Sequence, residues 1–144
     1  MADKLHGDWV NQAREMKNSW PKVTARISSA FSAWHSLPSI GVSDRHLHKW
    51  DVSIGYTLEI NPHNGCTKPM QEMKRGLDEL LSQLEGSYLN DLFRFPPTSE
   101  TIACWIMARL PPYYDTVIVE AYDGYKVEIK ADAMRSEWLE QYRK

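Results

Sequence analysis

Two stretches of the chain alternate between apolar and polar residues, which is the pattern of a half-buried β-strand. The first stretch runs from Val23 to Phe31, and the second runs from His46 to Ile60. The segment between them, from Pro38 to Asp44, contains Pro, Ser and Gly, which favour turns. The pattern therefore predicts two strands that are joined by a loop over residues 38–44.

The next part of the chain has the spacing of two amphipathic helices. Apolar residues recur at steps of three and four over residues 70–84, which places them on one helical face. After a Pro-Pro pair, Thr98 or Ser99 is the expected N-cap of a second helix. A second Pro-Pro pair at 111–112 ends that helix. Its predicted buried positions are Ile102, Ile106, Met107 and Leu110.

Both ends of the chain complete the predicted set of elements. Residues 117–119 and 125–129 are short strand-like runs, and the Asp123-Gly124 pair between them favours a tight hairpin turn. Residues 134–142 have helical spacing. Residues 1–20 form a predicted helical extension, which the following proline ends. Its apolar positions are Trp9, Val10, Ala13 and Met16.

The predicted order of elements is strand, strand, helix, helix, strand, strand. This order favours an α+β fold, in which helices cover one face of an antiparallel sheet. We therefore predict a single domain over residues 21–144, with a four-stranded antiparallel sheet, two helices on one face, and further helices at both ends of the chain. Because exposed sheet edges are commonly covered by a neighbouring subunit, we also expect an oligomer.

Composition excludes several classes of function. The chain has 144 residues, of which 42% are hydrophobic, and this is enough for one ordinary core. A net charge of -2 and a pI near 6.2 provide no basic field for nucleic-acid binding. The two cysteines are too few for a disulfide framework, and the sequence shows no secretory or membrane-spanning segment. We expect a soluble, cytoplasmic protein with no nucleic-acid or membrane partner.

Three histidines form a candidate metal site. His46 and His48 are two residues apart on an alternating strand, so their imidazoles emerge on the same face. His35 ends the preceding strand, and a hairpin would bring it beside them. Three imidazoles without a fourth protein ligand leave a position open for water or substrate, as in catalytic zinc sites. The alternative is that these histidines are ordinary residues on a polar sheet face.

Five segments carry a family resemblance. Residues 31–38 are Phe-Ser-Ala-Trp-His-Ser-Leu-Pro, residues 46–50 are His-Leu-His-Lys-Trp, and residues 84–91 are Leu-Glu-Gly-Ser-Tyr-Leu-Asn-Asp. Residues 97–100 are Pro-Thr-Ser-Glu, and residues 117–120 are Val-Ile-Val-Glu. In this order, the five segments resemble the motifs of the 6-pyruvoyl-tetrahydropterin and 6-carboxytetrahydropterin synthase family. The resemblance extends from residue 23 to about residue 130, and it implies the T-fold of that family.

The resemblance implies a metal, a substrate class and an assembly. His35, His46 and His48 correspond to the zinc ligands of the family. Family members of this kind bind dihydroneopterin triphosphate and form a 6-substituted tetrahydropterin with loss of triphosphate. Zinc lowers the pKa of the hydroxyls on the side chain of the pterin substrate, so that a base of moderate strength can move their protons. The resemblance also implies a homo-hexamer.

Recognition of the ring is assigned to three further residues. Glu120 is similar to the glutamate that anchors the pterin ring, because a carboxylate accepts two parallel N–H bonds from such a ring. Thr98 and Ser99, at a helix N-terminus, are expected to present backbone N–H and hydroxyl groups to the same ring. The alternatives are an edge-exposed carboxylate at Glu120 and ordinary N-caps at the other two positions.

The chain departs from the family at the groups that transfer protons. Val42 occupies the place of the catalytic cysteine, and Glu85 and Gly86 occupy those of the Asp-His pair. Candidate substitutes are Asp44, Glu85 itself, and Cys66 if its loop reaches the site. Their alternative roles are a turn-forming aspartate, the solvated end of a helix, and an inert loop thiol.

The sequence therefore leaves two main functions open. One is a zinc-dependent lyase that acts on dihydroneopterin triphosphate or a related pterin, in a tetrahydropterin or 7-deazaguanine (queuosine) precursor pathway. The other is a catalytically silent relative that binds zinc and a pterin or purine-like ligand. A structural oligomer with neither metal nor ligand is the least favoured, because the three histidines and Glu120 are all present.

Overall fold

The computed structural model describes residues 2–15 and 20–144, and it contains one antiparallel sheet with helices on one face. The strands are β1 (Lys22–Leu37), β2 (Val42–Glu59), β3 (Thr116–Tyr122) and β4 (Tyr125–Lys130). The helices are α1 (Ala2–Glu15), α2 (Met70–Ser82), α3 (Leu89–Leu92), α4 (Ser99–Arg109) and α5 (Ser136–Arg143). Short 3₁₀ turns lie at Pro38–Ile40 and Ala131–Ala133. The predicted α+β class and the helices at both ends are confirmed.

The sheet has the order β1-β2-β3-β4, and every neighbouring pair is antiparallel. The first two strands are longer than predicted, because β1 continues to Leu37 and β2 already begins at Val42. The predicted loop over residues 38–44 was therefore too long. One 3₁₀ turn followed by Gly41, whose φ of 84° favours glycine, is sufficient to reverse the chain.

The core lies between the sheet and helices α2 and α4. From the sheet, Trp50, Val52 and Ile54 of β2 are almost fully buried, and from the helices Leu77 and Ile106 meet them. Burial of each such side chain stabilises the fold by about 1.5–3 kcal/mol. The opposite face of the sheet is polar and exposed, with hydrogen-bonded pairs such as Ser28–Ser53 and Thr24–Thr57.

The segment after α2 covers the C-terminal part of the outer edge of β1. Trp34 N–H donates to the Ser87 carbonyl at 2.8 Å, and Gly86 N–H donates to the Ser32 carbonyl at 2.7 Å. Further along, the side-chain amide of Asn90 pairs with the backbone of β1 as a neighbouring strand does. Its Oδ1 accepts from Ser36 N–H and its Nδ2 donates to the Ser36 carbonyl, both at 2.9 Å. The edge of β1 is thus satisfied from Ser32 to Ser36.

Helix α5 is joined to α4 by a reciprocal pair of arginine contacts. The Arg109 guanidinium donates to the Tyr142 carbonyl at 2.6 Å, and Arg143 Nε donates to the Ala108 carbonyl at 3.1 Å. Both carbonyls lie in the last turn of a helix, where no intrahelical donor is available. Each arginine therefore caps the C-terminus of the other helix.

The N-terminal helix α1 confirms the predicted helical extension, and the ring of Trp9 packs edge-to-face on Trp20 at 5.6 Å. Met16, also predicted to belong to this helix, lies outside the described residues. Across residues 2–15 and 20–144, none of the helices has the length and apolar character that a bilayer crossing requires.

Candidate metal centre

The β1–β2 hairpin brings three histidines together. His35 pairs with His46, and Ala33 pairs with His48, so all three imidazoles are on the face of the sheet that carries the helices. One nitrogen from each ring can be chosen so that the three atoms lie within 4.8 Å of one another. His35 is 2% exposed, and the other two rings are half-buried. The predicted convergence of these residues is confirmed.

Backbone carbonyls fix the tautomers of two of the rings. His35 Nδ1 lies 2.7 Å from the Pro97 carbonyl, and His46 Nδ1 lies 2.9 Å from the Asp44 carbonyl. Because a carbonyl only accepts, both Nδ1 atoms must donate, which leaves a lone pair on each Nε2. This arrangement is typical of histidines that bind metals through Nε2.

Two nitrogens of the cluster have no hydrogen-bond partner. His35 Nε2 and His48 Nε2 are both buried and unpaired within the described part of the chain. A buried polar atom without a partner costs about 1–3 kcal/mol, so it usually has one. A cation shared by the three rings would provide that partner. The donor set therefore fits a metal that prefers nitrogen ligands, such as zinc.

The electrostatics of the cluster favour neutral imidazoles. Burial lowers the pKa of His35, and the proximity of His46 lowers it further, against the raising effect of the Pro97 hydrogen bond. Burial also lowers the pKa of His48, with smaller contributions from His35 and His46. Neutral rings are the form that binds metal, so the cluster is prepared for a cation at neutral pH.

The N-terminus of α4 lies beside His35 because Pro97 accepts the hydrogen bond from its ring. The Thr98 hydroxyl accepts from Thr101 N–H at 3.1 Å, and Thr98 N–H donates to the Thr101 hydroxyl at 2.9 Å. These two bonds form a capping box, so the N-cap function predicted for Thr98 is present and occupies its side chain. Ser99 follows as the first, buried residue of the helix.

The three candidate bases lie in different places. Asp44 is an exposed residue of β2, two positions before His46, and not a loop residue as predicted. Glu85 is close to β1, but its carboxylate accepts from Ser32 N–H at 2.7 Å and closes the strand edge. Cys66 is exposed in the loop after β2, and the strand from His48 to Glu59 alone spans roughly 35 Å. Within one chain, only Asp44 is adjacent to the cluster.

Within one chain, Glu120 lies away from the three histidines. Glu120 pairs with Asp51, whereas the buried neighbours Val119 and Val52 pair on the core face. Strand alternation therefore places Glu120 on the polar face of the sheet, opposite the histidine cluster. Its carboxylate accepts from Gly124 N–H at 3.2 Å in the β3–β4 turn.

Tyr122 occupies the wall of the cluster and was not predicted from the sequence. Its ring centre lies 4.4 Å from that of His48, in an edge-to-face arrangement of 67°. The β3–β4 register shifts between Glu120 and Tyr122, so the two residues do not share a face despite their even spacing. The alternating apolar pattern gave no signal of this bulge.

Comparison with known proteins identifies related sequences and folds. Residues 22–132 match the family model described as 6-pyruvoyl tetrahydropterin synthase. The structure of 6-pyruvoyl tetrahydropterin synthase from Caenorhabditis elegans is similar, with 20% identity, a TM-score of 0.70, and coverage of 77% of this chain and 96% of that one.

Two more distant structures share the fold. A 6-pyruvoyltetrahydropterin synthase from Plasmodium vivax, changed at a catalytic residue, is 14% identical with a TM-score of 0.65, and the match covers 76% of this chain and 97% of that one. An uncharacterised protein from Wolinella succinogenes is also 14% identical, with a TM-score of 0.56 and coverage of 76% and 98%. At these identities, the structural matches establish the fold.

Proposed function

Because the chain belongs to the 6-pyruvoyl tetrahydropterin synthase family, whose model it matches over residues 22–132, we propose that it is a zinc-dependent carbon–oxygen lyase of this type. Its substrate is dihydroneopterin triphosphate or a related pterin. The observation that supports this function best is the histidine cluster, in which two buried Nε2 atoms have no partner among the described residues. Buried nitrogens of this kind normally have a partner, and a cation bound by all three rings would supply it.

The residues of the chain have separate tasks in this proposal. His35, His46 and His48 hold the zinc, which when bound supplies a positive charge that makes hydroxyl groups beside it more acidic. The Pro97 and Asp44 carbonyls fix the orientation of two of the rings. Thr98 and Ser99 follow Pro97, whose carbonyl is bonded to the ring of His35, at the start of α4. We assign both residues to the substrate pocket.

Asp44 is the proposed base. It is the one predicted candidate that lies next to the histidines within a chain, and its side chain is exposed. A carboxylate beside a metal-acidified hydroxyl is a reasonable general base. Glu85 is committed to the edge of β1, and Cys66 lies at the other end of β2.

Metal analysis tests the first part of the proposal. The protein purified in the presence of zinc should contain about one zinc per chain, and His46→Ala or His48→Ala should remove most of it, since two imidazoles hold a tetrahedral site poorly. His63→Ala is the matched control, because His63 lies in the exposed turn after β2. Absence of zinc from the unchanged protein would refute the metal assignment.

The reaction is tested by incubation of the zinc-loaded protein with dihydroneopterin triphosphate. Release of inorganic triphosphate, together with a 6-substituted tetrahydropterin, would support the lyase. Asp44→Asn should slow the release by roughly a hundredfold or more, in the range expected for loss of a general base, without loss of zinc. Ser43→Ala is the control for a change in the same strand.

A second candidate function is a binding protein that holds zinc and a pterin or purine-like ring without turnover. The observation in its favour is that two of the three candidate bases do not reach the histidines within one chain. Tight binding of pterin by the zinc-loaded protein, with no release of triphosphate over hours, would support this second function and exclude the lyase.

A further inference from the structure

The bulge in β3 changes which residue faces the histidines. Up to Glu120, the strand alternates regularly, and Glu120 pairs with Lys126 on the polar face. The bulge then places Tyr122 on the opposite face, against the ring of His48. The strand therefore presents the aromatic ring of Tyr122 to the histidine cluster, whereas the carboxylate of Glu120 faces the other side of the sheet.

We propose that Tyr122 is the ring-recognition residue of this chain and that the flat heterocycle of a pterin stacks on its aromatic face. This inference rests on the proposed function, since it assigns a contact for the ligand of that site. It replaces the role predicted for Glu120, whose side chain lies on the other face of the sheet.

The exposure of Tyr122 supports this role. The residue is 51% exposed although its ring contacts His48, so one part of the ring is packed and the rest is open beside the cluster. Trp50 also contacts His35 and His48, but it is fully buried and cannot meet a ligand. In the described part of the chain, Tyr122 is the exposed aromatic ring that touches these histidines.

The chemistry of a pterin suits this contact. Aromatic rings attract one another in stacked and edge-to-face arrangements beyond the area they bury, and each pair contributes about 0.5–1.5 kcal/mol. A tyrosine ring recognises the flat face of a ligand, whereas a carboxylate recognises its N–H edge. If the protein recognises the flat face of the ligand, it should tolerate substituents at the N–H edge of the ring. A glutamate that anchors this edge would not allow them.

The proposal is tested by measuring how tightly pterin binds to the zinc-loaded protein, with quenching of the pterin fluorescence as the signal. Tyr122→Leu keeps an apolar side chain on His48 but removes the aromatic face, and it should weaken binding by roughly three- to tenfold. Tyr122→Phe keeps the face and should bind within about twofold of the unchanged protein. Zinc content should be unchanged in both variants.

Two controls make the result specific. Tyr125→Leu removes a similarly exposed ring from the residue that pairs with Tyr122, and it should bind pterin normally. Glu120→Gln should also bind normally. The proposal is overturned if Tyr122→Leu binds as tightly as the unchanged protein, if Tyr122→Phe is as weak as Tyr122→Leu, or if Tyr122→Leu loses its zinc. Failure of the unchanged protein to bind any pterin would instead refute the proposed function.

Discussion

At the scale of single residues, the arrangement of the metal centre depends on hydrogen bonds to the backbone. His35 is buried, and its Nδ1 has one partner, the Pro97 carbonyl. That bond fixes the direction of Nε2, where a ligand bond would form. A side chain from a strand is thus oriented by a residue that lies 62 positions later, at the start of a helix.

The lowered pKa values of His35 and His48 predict how the metal-free protein responds to acid. Both folded-state values are below the ordinary value of about 6.5, so the unfolded chain binds more protons as the pH falls through this range. Stability is therefore fully present above about pH 7 and decreases as the pH falls below 6.5. Urea unfolding of the metal-free protein at pH 7.5 and pH 5.5 should give a smaller free energy of unfolding at pH 5.5.

A double variant separates the effect of these two histidines from the other effects of acid on stability. His35→Asn combined with His48→Asn removes the two groups, so the difference between the two pH values should become smaller. An equal difference in the unchanged protein and in the double variant would contradict this explanation.

Asn90 provides a second prediction at this scale. Its amide both accepts from and donates to the backbone of Ser36, a buried residue. Asn90→Asp keeps the acceptor but replaces the donor with an oxygen that faces the Ser36 carbonyl. The free energy of unfolding should fall by about 1–3 kcal/mol, the cost of a buried carbonyl without a partner.

The matched control for Asn90 is Asn64→Asp. In the exposed turn after β2, Asn64 only accepts, from Cys66 N–H, so an aspartate can replace it. Chemical denaturation should show a change below about 0.5 kcal/mol for this control. Similar losses in the two variants would indicate that the reciprocal bond to Ser36 has no special value.

The same scale shows what the sequence could and could not predict about the site. The His-x-His spacing was sufficient to place His46 and His48 on one face, because alternation is a local property of a strand. Glu120 was assigned from the family motif, and regular alternation after the buried Val119 places it on the polar face. The bulge that follows then turns Tyr122 towards His48. A bulge depends on pairing with β4, which no local pattern reports.

At the scale of elements, α5 depends on the reciprocal arginine contacts described above. Arg109→Met keeps an unbranched apolar side chain but removes the guanidinium, which lies over the Trp105 ring and donates to the Tyr142 carbonyl. Because the guanidinium is partly exposed, the expected loss of stability is moderate, about 1–2 kcal/mol. Hydrogen exchange should become faster in α5 while the amides of β2 remain protected.

Arg135→Met is the control for this helix. Arg135 makes only an exposed ion pair with Glu137 at 3.0 Å, and such pairs contribute little. Its exchange pattern should match that of the unchanged protein. If hydrogen exchange in α5 became equally fast in the two variants, the positive charge of the arginines, and not the C-capping contacts, would stabilise this helix.

Element prediction succeeded where the period was long and regular, as in α2, and failed where distant segments decide the structure. The regular alternation of the first stretch ended at Phe31, but β1 continues to Leu37, where it pairs with β2 on one side and with the segment from Ser87 to Asn90 on the other. Helix α3 was not predicted from the sequence. Its four residues are too few for a helical period to be recognised.

At the scale of the whole molecule, the two sheet edges predict an assembly. The segment after α2 satisfies β1 only from Ser32 onward. Along the outer edge from Lys22 to Ala30, Lys74 Nζ donates to the Ser28 carbonyl, but no backbone group in the described residues pairs with this edge. The outer edge of β4 is also open. Open edges of this length are commonly covered by a neighbouring subunit, so we expect a homo-oligomer, and the family resemblance implies a homo-hexamer.

Arg26→Pro tests the contribution of the edge to assembly. Ser32 points its N–H outward, and residues of the same parity, including Arg26, do likewise. A proline there removes one outward donor without removing a bond to β2, so the fold should persist while the oligomer weakens. Light scattering at micromolar concentration should show smaller particles, whereas Arg26→Ala should remain assembled. A monomeric unchanged protein would refute the assembly.

The β1–β2 hairpin that carries the histidines also has a consequence for the order of events during folding. All three imidazoles belong to β1 and β2, which are adjacent in sequence, and hairpins of this kind close within microseconds because little chain entropy is lost. Pro97 and Tyr122 reach the site only after α4 and β3 have packed. A cation bound by the three histidines would thus be held by a nascent hairpin before Pro97 and Tyr122 reach the cluster.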